Sequence, residues 1–240
     1  MNLNKIYVLV LISGLVGVSL NGATNEQIIS YFKSKIPVPT VKVKVTSRTK
    51  IKEIEGMDYV TLSLSNGKRT QNVSIFTKGE LIFPDVISIK SGSIKDKLDK
   101  QKLIKNLAKV YKKQDPKNVI VLGNDPKKET LVKFTDPECP FCRKEVNNIE
   151  KKLEKYNLKY IFTPVHDKSS LEKSVLIAKQ ANSAKTLDEK VKIIKKYFSG
   201  NVDKKVTDEE VKEIDNQRNR YFAAGLKGVP FYVNEKDLLK

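Results

Sequence analysis

Cysteine is nearly absent from this chain: two residues among 240, both inside the stretch DPECPFCR, at Cys139 and Cys142. So small a supply excludes a disulfide-stapled scaffold, and a chain of this length can bury a core without staples. Histidine is scarcer still, with His166 alone. Zinc sites draw on about three or four Cys, His or carboxylate ligands, so two cysteines and one distant histidine make a poor metal centre. Long hydrophobic runs are also lacking. The one apolar stretch, Ile6 to about Val18, is shorter than the roughly 20 residues of a membrane-spanning helix, and no second one follows. Arginine clusters and basic runs interleaved with aromatics, the pattern that stacks bases, do not occur. The net charge of +18 is mostly lysine set beside Glu and Asp. It describes a solvated surface with a bias toward acidic partners, and no nucleic-acid site. No internal repeat or low-complexity tract is present.

What is there begins with a targeting pattern. Lys5, then the apolar run, then small and polar residues to Thr24 follow the order of a cleaved secretory signal, expected over residues 1–22. Export leads to an oxidising compartment where disulfides persist, the periplasm in this reading.

Two composition zones follow. Thr24 to Gln27 forms a capping box for a short helix with Ile28, Ile29 and Phe32 on its apolar face. VKVKV (Val41 to Val45) alternates as a half-buried strand does, DYVTLSL follows, and Ser65-Asn66-Gly67-Lys68 carries a two-residue hairpin signal. NVSIFT and ELIFPDVISI continue the β character. Residues 24–91 are therefore expected to form a small helix-plus-antiparallel-sheet domain without catalytic residues. A charged helical segment, with Ile94, Leu98, Ile104, Leu107, Ala108 and Tyr111 on one face, links it to the rest over 92–116.

The domain expected over 117–240 opens with the strand TLVKFT, then the cysteine pair, then a helix in which Cys142, Val146, Ile149, Leu153 and Tyr156 form one buried stripe. LKYIFTPV is the next strand, a helical stretch runs from about Ser169 to Leu226, and GVPFYV supplies a last strand entered through Pro230. A C-x-x-C where the first strand of a β-α-β unit meets its helix is the thioredoxin-like arrangement. Seven residues follow Val233, too few for the last strand and C-terminal helix of such a domain, so either the sheet lacks an edge element or the sequence is truncated there.

Three chemistries use C-x-x-C. A permanent bridge would close so short a loop that it constrains the unfolded chain little, and metal lacks ligands. Redox exchange has a geometric basis. With Cys139 at the N-cap and Pro140 at the first helical position, the sulfur faces the unpaired N–H groups of the helix. That favours its thiolate and makes Cys139 the nucleophile, with Cys142 as the resolving thiol one turn in.

VKFTDPECPFCRKEV, the helical insertion, GVP and the β-rich N-terminal arm together resemble the periplasmic disulfide isomerases of the DsbC/DsbG type, over roughly residues 24 to 240. The resemblance implies an α+β chain: an N-terminal cystatin-like dimerisation domain, a linker helix, and a thioredoxin-like catalytic domain with a helical insertion at about 169–226. It implies a homodimeric thiol-disulfide oxidoreductase that rearranges disulfides of exported proteins without cofactor or metal, recharged by a DsbD-like membrane reductant. It also implies a cis Val229-Pro230 bond beside the cysteines, with Val229 offering backbone groups to a client segment.

Val229 is the residue that DsbA-like oxidases carry before this proline, so a dimeric oxidase working with a DsbB-like oxidant stays open. So does an exported chaperone whose cysteines matter little. Pro140, Phe141 and Lys133 are possible modulators. Lys133 stands six residues before Cys139, where thioredoxins place a buried acid; a nearby ammonium would favour the thiolate, although a solvent-facing lysine is the simpler expectation. His166 is expected in an exposed loop, and Glu138 flanks the site without an assigned role.

Overall fold

The structure, a computed structural model, describes residues 23–203 and 205–240; the expected signal segment lies outside the described residues. The chain divides into two compact units, Met1–Lys97 and Leu98–Lys240.

In the first unit, Thr24 caps α1 (Asn25–Lys35) through a capping box with Gln27. Four strands, β1 (Lys42–Lys50), β2 (Asp58–Ser65), β3 (Thr70–Lys78) and β4 (Leu81–Phe83), form an antiparallel sheet in that order. Alternation puts Val43 inward and Lys42 and Lys44 outward, and Val43, Val60, Leu62 and Ile75 pack with Ile28 of α1 as the core. The hairpin joining β2 to β3 differs from the two-residue turn expected. Ser65 pairs with Thr70, so residues 66–69 form a longer loop. Asn66 sets it: its Oδ1 accepts from the N–H groups of Lys68 (3.1 Å) and Arg69 (2.8 Å), and Gly67 takes the positive φ of 87°. A two-residue ladder, β5 (Ile87–Ser88) with β6 (Gly92–Ser93), closes the unit.

Helix α2 (Ile94–Tyr111) runs through the division into the second unit. A 3-10 turn at Pro116–Asn118 leads into β7 (Val119–Leu122), β8 (Glu129–Thr135), α3 (Pro140–Asn147), α4 (Ile149–Leu153) and β9 (Tyr156–Phe162). Then come α5 (Lys168–Ser183), α6 (Leu187–Ser199), α7 (Asp208–Ala223), β10 (Phe231–Asn234) and α8 (Glu235–Leu239). The sheet order is β10-β8-β9-β7: β8 and β9 are parallel, as a helical crossover requires, and the outer two are antiparallel to their neighbours.

Each face of this sheet has its own core. On one, Val132, Phe134 and Ile161 pack with Leu107 of α2 and Tyr221 of α7. On the other, Leu158, Tyr160 and Phe162 pack with Cys142 and Val146 of α3 and with Ile177, Ile194 and Tyr197 of α5 and α6.

Two elements differ from the sequence reading. The helix after the cysteines breaks at Asn148 (φ −108°, ψ 21°), whose N–H bonds back to Glu145 and Val146 while its side chain donates to the Lys144 carbonyl at 3.2 Å. The stripe from Cys142 therefore ends in α4, and Tyr156 opens β9 instead. Beyond Val233, where no helix was expected, Asn234 caps the five-residue α8 by accepting from the Lys236 N–H at 3.1 Å. Its Leu238 is fully buried. Among the described residues no helix is long and apolar enough to cross a membrane.

Candidate active site

Strand β8 ends at Thr135, and the chain turns through Asp136-Pro137-Glu138 into α3. Cys139 is the N-cap of α3 (φ −68°, ψ 122°), and Pro140 occupies the first turn, where its missing N–H removes nothing. The Cys139 N–H donates to the Asp136 carbonyl at 3.3 Å and the Arg143 N–H to the Cys139 carbonyl at 2.9 Å, which fixes the start of the helix. Arg143 also donates through Nε to the Phe198 carbonyl at 2.6 Å, tying α3 to the end of α6.

The two sulfurs are unbonded and differ in access. Cys142 is fully buried, whereas Cys139 keeps 5% of its surface. Burial pushes the Cys142 thiol up to about 12, against the Thr135 hydroxyl and the Asp136 backbone, which favour its thiolate. The Cys139 sulfur makes no cap hydrogen bond to the helix amides. Its thiol donates to the Val229 carbonyl at 3.7 Å. Pairing of β10 with β8, Phe231 opposite Phe134, brings that carbonyl there, and the Val229-Pro230 bond is cis. The structure thus gathers Cys139, Cys142, Val229 and Pro230 in one place. Phe141, 71% exposed, stands beside them on α3, and Pro140 is exposed as well.

Lys133 corrects the simpler expectation of a solvent-facing residue. Its side chain is fully buried, because β8 is an inner strand covered on both faces. Val132 and Phe134 point to one core, and Lys133 points to the side occupied by the cysteines.

Asp136 was missed in the sequence. Its side chain is wholly buried and its carboxylate gathers five donors. The N–H groups of Glu138 (2.7 Å), Val165 (2.8 Å) and His166 (3.2 Å), His166 Nδ1 (2.6 Å) and the Ser170 hydroxyl all point at it. Burial pushes this carboxyl up, but the bonds from Ser170, His166, Val165 and Glu138 outweigh that and hold it below the ordinary range. His166 is exposed, as expected, yet tied to the cysteine turn. Glu138 pairs with the buried Lys173 at 3.1 Å and accepts from the Ser169 hydroxyl at 2.8 Å. The sequence signal for Asp136 was its place directly before Pro137, in the turn that carries the cysteines.

Residues 115–231 match the thioredoxin family model. Comparison with curated protein sequences gives no match. Among solved structures, Helicobacter pylori DsbG is similar at 20% identity with a TM-score of 0.50, covering 87% of this chain and 99% of that one. A linker-deletion variant of Proteus mirabilis ScsC is 20% identical with a TM-score of 0.38, covering 59% of this chain and 77% of that one. Wolbachia pipientis alpha-DsbA2 is 21% identical with a TM-score of 0.36, covering 60% and 88%. The family match and the fold shared with DsbG bear out the resemblance read from the sequence: the chain carries a thioredoxin-like domain and is folded like DsbG.

Proposed function

We propose that this chain is an exported thiol-disulfide oxidoreductase that rearranges the disulfides of exported proteins through Cys139 and Cys142, acting as a homodimer. One observation carries the reading: Cys139 sits at a helix N-cap beside the Val229 carbonyl, 3.7 Å away, with Cys142 one turn beneath it. Cys139 attacks a client disulfide, forming a mixed disulfide and releasing one client thiolate. Either a second client thiol then attacks that bond, which completes an isomerisation, or Cys142 attacks Cys139 and leaves the client reduced. The backbone of Val229 supports an extended client segment at the point of attack, a short strand addition.

The N-terminal unit supports the dimer. It is small, and β1 and β4 leave open edges on its sheet, with Leu81 of β4 62% exposed. Pairing across a two-fold axis would cover such edges. The basic and apolar pattern within residues 1–22 supports export to the periplasm, and a DsbD-like reductant would keep the pair as a dithiol. The second reading, a dimeric DsbA-like oxidase with a DsbB-like partner, is favoured by Val229.

Refolding of a scrambled multi-disulfide protein, run beside oxidation of the same protein in fully reduced form, separates them. An isomerase restores activity to the scrambled protein well above the glutathione background, and sedimentation velocity at micromolar concentration shows a dimer. A monomer that oxidises the reduced protein and leaves the scrambled one untouched overturns the isomerase reading.

A further inference from the structure

Helices α2 and α8 border a groove in the second unit that the cysteine chemistry does not use. Leu107 and Ala108 of α2 and Leu238 of α8 pack with Val132 and Phe134 on one face of the sheet, whereas Cys139 and Cys142 belong to the core of the other face. The groove has a volume of about 670 Å³. Its deepest apolar lining is Ala108, buried, and Ile104, half-buried; Lys105, Lys109 and Lys112 of α2 and Lys240 just after α8 stand exposed around them. Lysine stems lie along apolar surface while their ammonium groups stay in water, so the groove is apolar at its base and cationic at its rim.

The α2 lysines differ from others on this unit. Lys117 pairs with Glu213, Lys159 with Glu235, Lys179 with Glu210 and Lys195 with Glu150. At the groove the one lining carboxylate, Asp237, is taken by Lys240 at 2.6 Å. Lys105, Lys109 and Lys112 have no carboxylate partner among the described residues. Spaced four and three residues apart on one helix, these like charges are neighbours and repel. A ligand that brings carboxylates to the rim removes that repulsion and covers Ile104 and Ala108 in the same step.

We propose that this groove docks an acidic amphipathic helix of a partner protein. The occupant lays apolar residues spaced i, i+3, i+4 and i+7 over Ile104 and Ala108, with Asp and Glu flanking them toward Lys105, Lys109 and Lys112, the helix-in-groove mode of recognition. From Ile104 to Lys112 the groove follows α2 for about 12 Å at 1.5 Å per residue, a little over two turns of contact. A small ligand fits less well, because the polar lining is exposed and no buried donor or acceptor converges to orient it. An anionic membrane fits less well too: insertion into lipid calls for protruding apolar side chains, and here they are recessed between lysines. Docking and thiol exchange occupy opposite faces of the sheet, so a partner can be held here while Cys139 is engaged.

The test uses full-length protein and three fluorescein-labelled synthetic peptides of 18 residues. One has leucines at i, i+3, i+4 and i+7 flanked by glutamates, one is its scramble, and one carries lysine for every glutamate. Fluorescence anisotropy should show the acidic peptide binding at least tenfold more tightly than either control, and at least tenfold more weakly in 500 mM than in 50 mM NaCl, as screened charges require. In Lys105→Glu/Lys109→Glu the acidic peptide should lose at least tenfold in affinity, and the lysine peptide should gain. Both replaced side chains are exposed, so the variant should keep the parent's circular dichroism and melting temperature. Amide NMR shifts in the parent, which need no variant, should cluster at residues 101–112 and 237–240 and be the same whether the cysteine pair is reduced or oxidised.

Equal affinity for the acidic peptide and its scramble, or an affinity in the folded double variant within twofold of the parent's, overturns the proposal. So do shifts centred on Cys139 and Val229, which would place the peptide in the exchange site. Binding to phosphatidylglycerol vesicles that the double variant loses, with no binding of the acidic peptide, replaces the partner helix with a membrane surface.

Discussion

Cys139 Sγ lies 3.7 Å from the Val229 carbonyl oxygen, at the rim of a site whose second cysteine, three residues on, is fully enclosed. Difference in access, reinforced by a Cys142 thiol pushed up to about 12, decides which sulfur meets a reagent. Iodoacetamide at pH 8 should add one group to the native dithiol protein, at Cys139, and a second only after unfolding in guanidinium, as read by mass spectrometry of the peptides. Equal labelling of both cysteines in the native protein would contradict this. Unreactive cysteines would favour a binding protein in which the pair does no chemistry.

Asp136 should carry stability as well as geometry. Breaking a buried charged cluster from one side typically costs about 3–5 kcal/mol, and Asp136→Ala leaves three N–H groups, His166 and Ser170 facing a void. We expect a loss of about 3 kcal/mol in urea unfolding. The folded carboxyl is held below its ordinary range, so its contribution is complete above the unfolded value of about 3.9 and fades as pH falls through the folded one. The gap between parent and Asp136→Asn should accordingly shrink below about pH 4. A gap constant from pH 7 to pH 3 would remove the charge from the explanation.

Helix α2 belongs to the core of the second unit over its C-terminal half. Leu107 is fully buried and packs in one cluster with Val132, Phe134 and Tyr221. Leu107→Ala should lower unfolding free energy by about 3 kcal/mol, the usual range for a buried leucine. A fragment begun at Asn118 removes this helix, so a fragment begun at Leu98 should melt at a higher temperature. Equal melting of the two would show that α2 contributes no packing.

Much of this was legible before the fold was known, and the misses share a cause. The Thr24–Gln27 capping box, the alternation at Val41 to Val45 and the proline after Cys139 are local signals, and local geometry satisfies them. Lys133 was misjudged because a lysine between Val132 and Phe134 fits a half-exposed strand. Only the register with Tyr160 and Tyr232, distant in sequence, reveals a covered strand. Asp136 was missed because its partners lie on the loop after β9 and the first turn of α5, at Val165, His166 and Ser170. The Asn66 loop and the break at Asn148 turn on a side chain competing for backbone hydrogen bonds, which composition at those positions suggests without deciding.

The most direct test of the central claim is trapping of the exchange intermediate. Cys142→Ser and Cys139→Ser, each in the full-length chain, are incubated with a disulfide-containing protein, quenched with acid and resolved without reductant. The account predicts stable mixed disulfides through Cys139 in Cys142→Ser and none in Cys139→Ser. Equal adducts in both variants, or none in either, would contradict it.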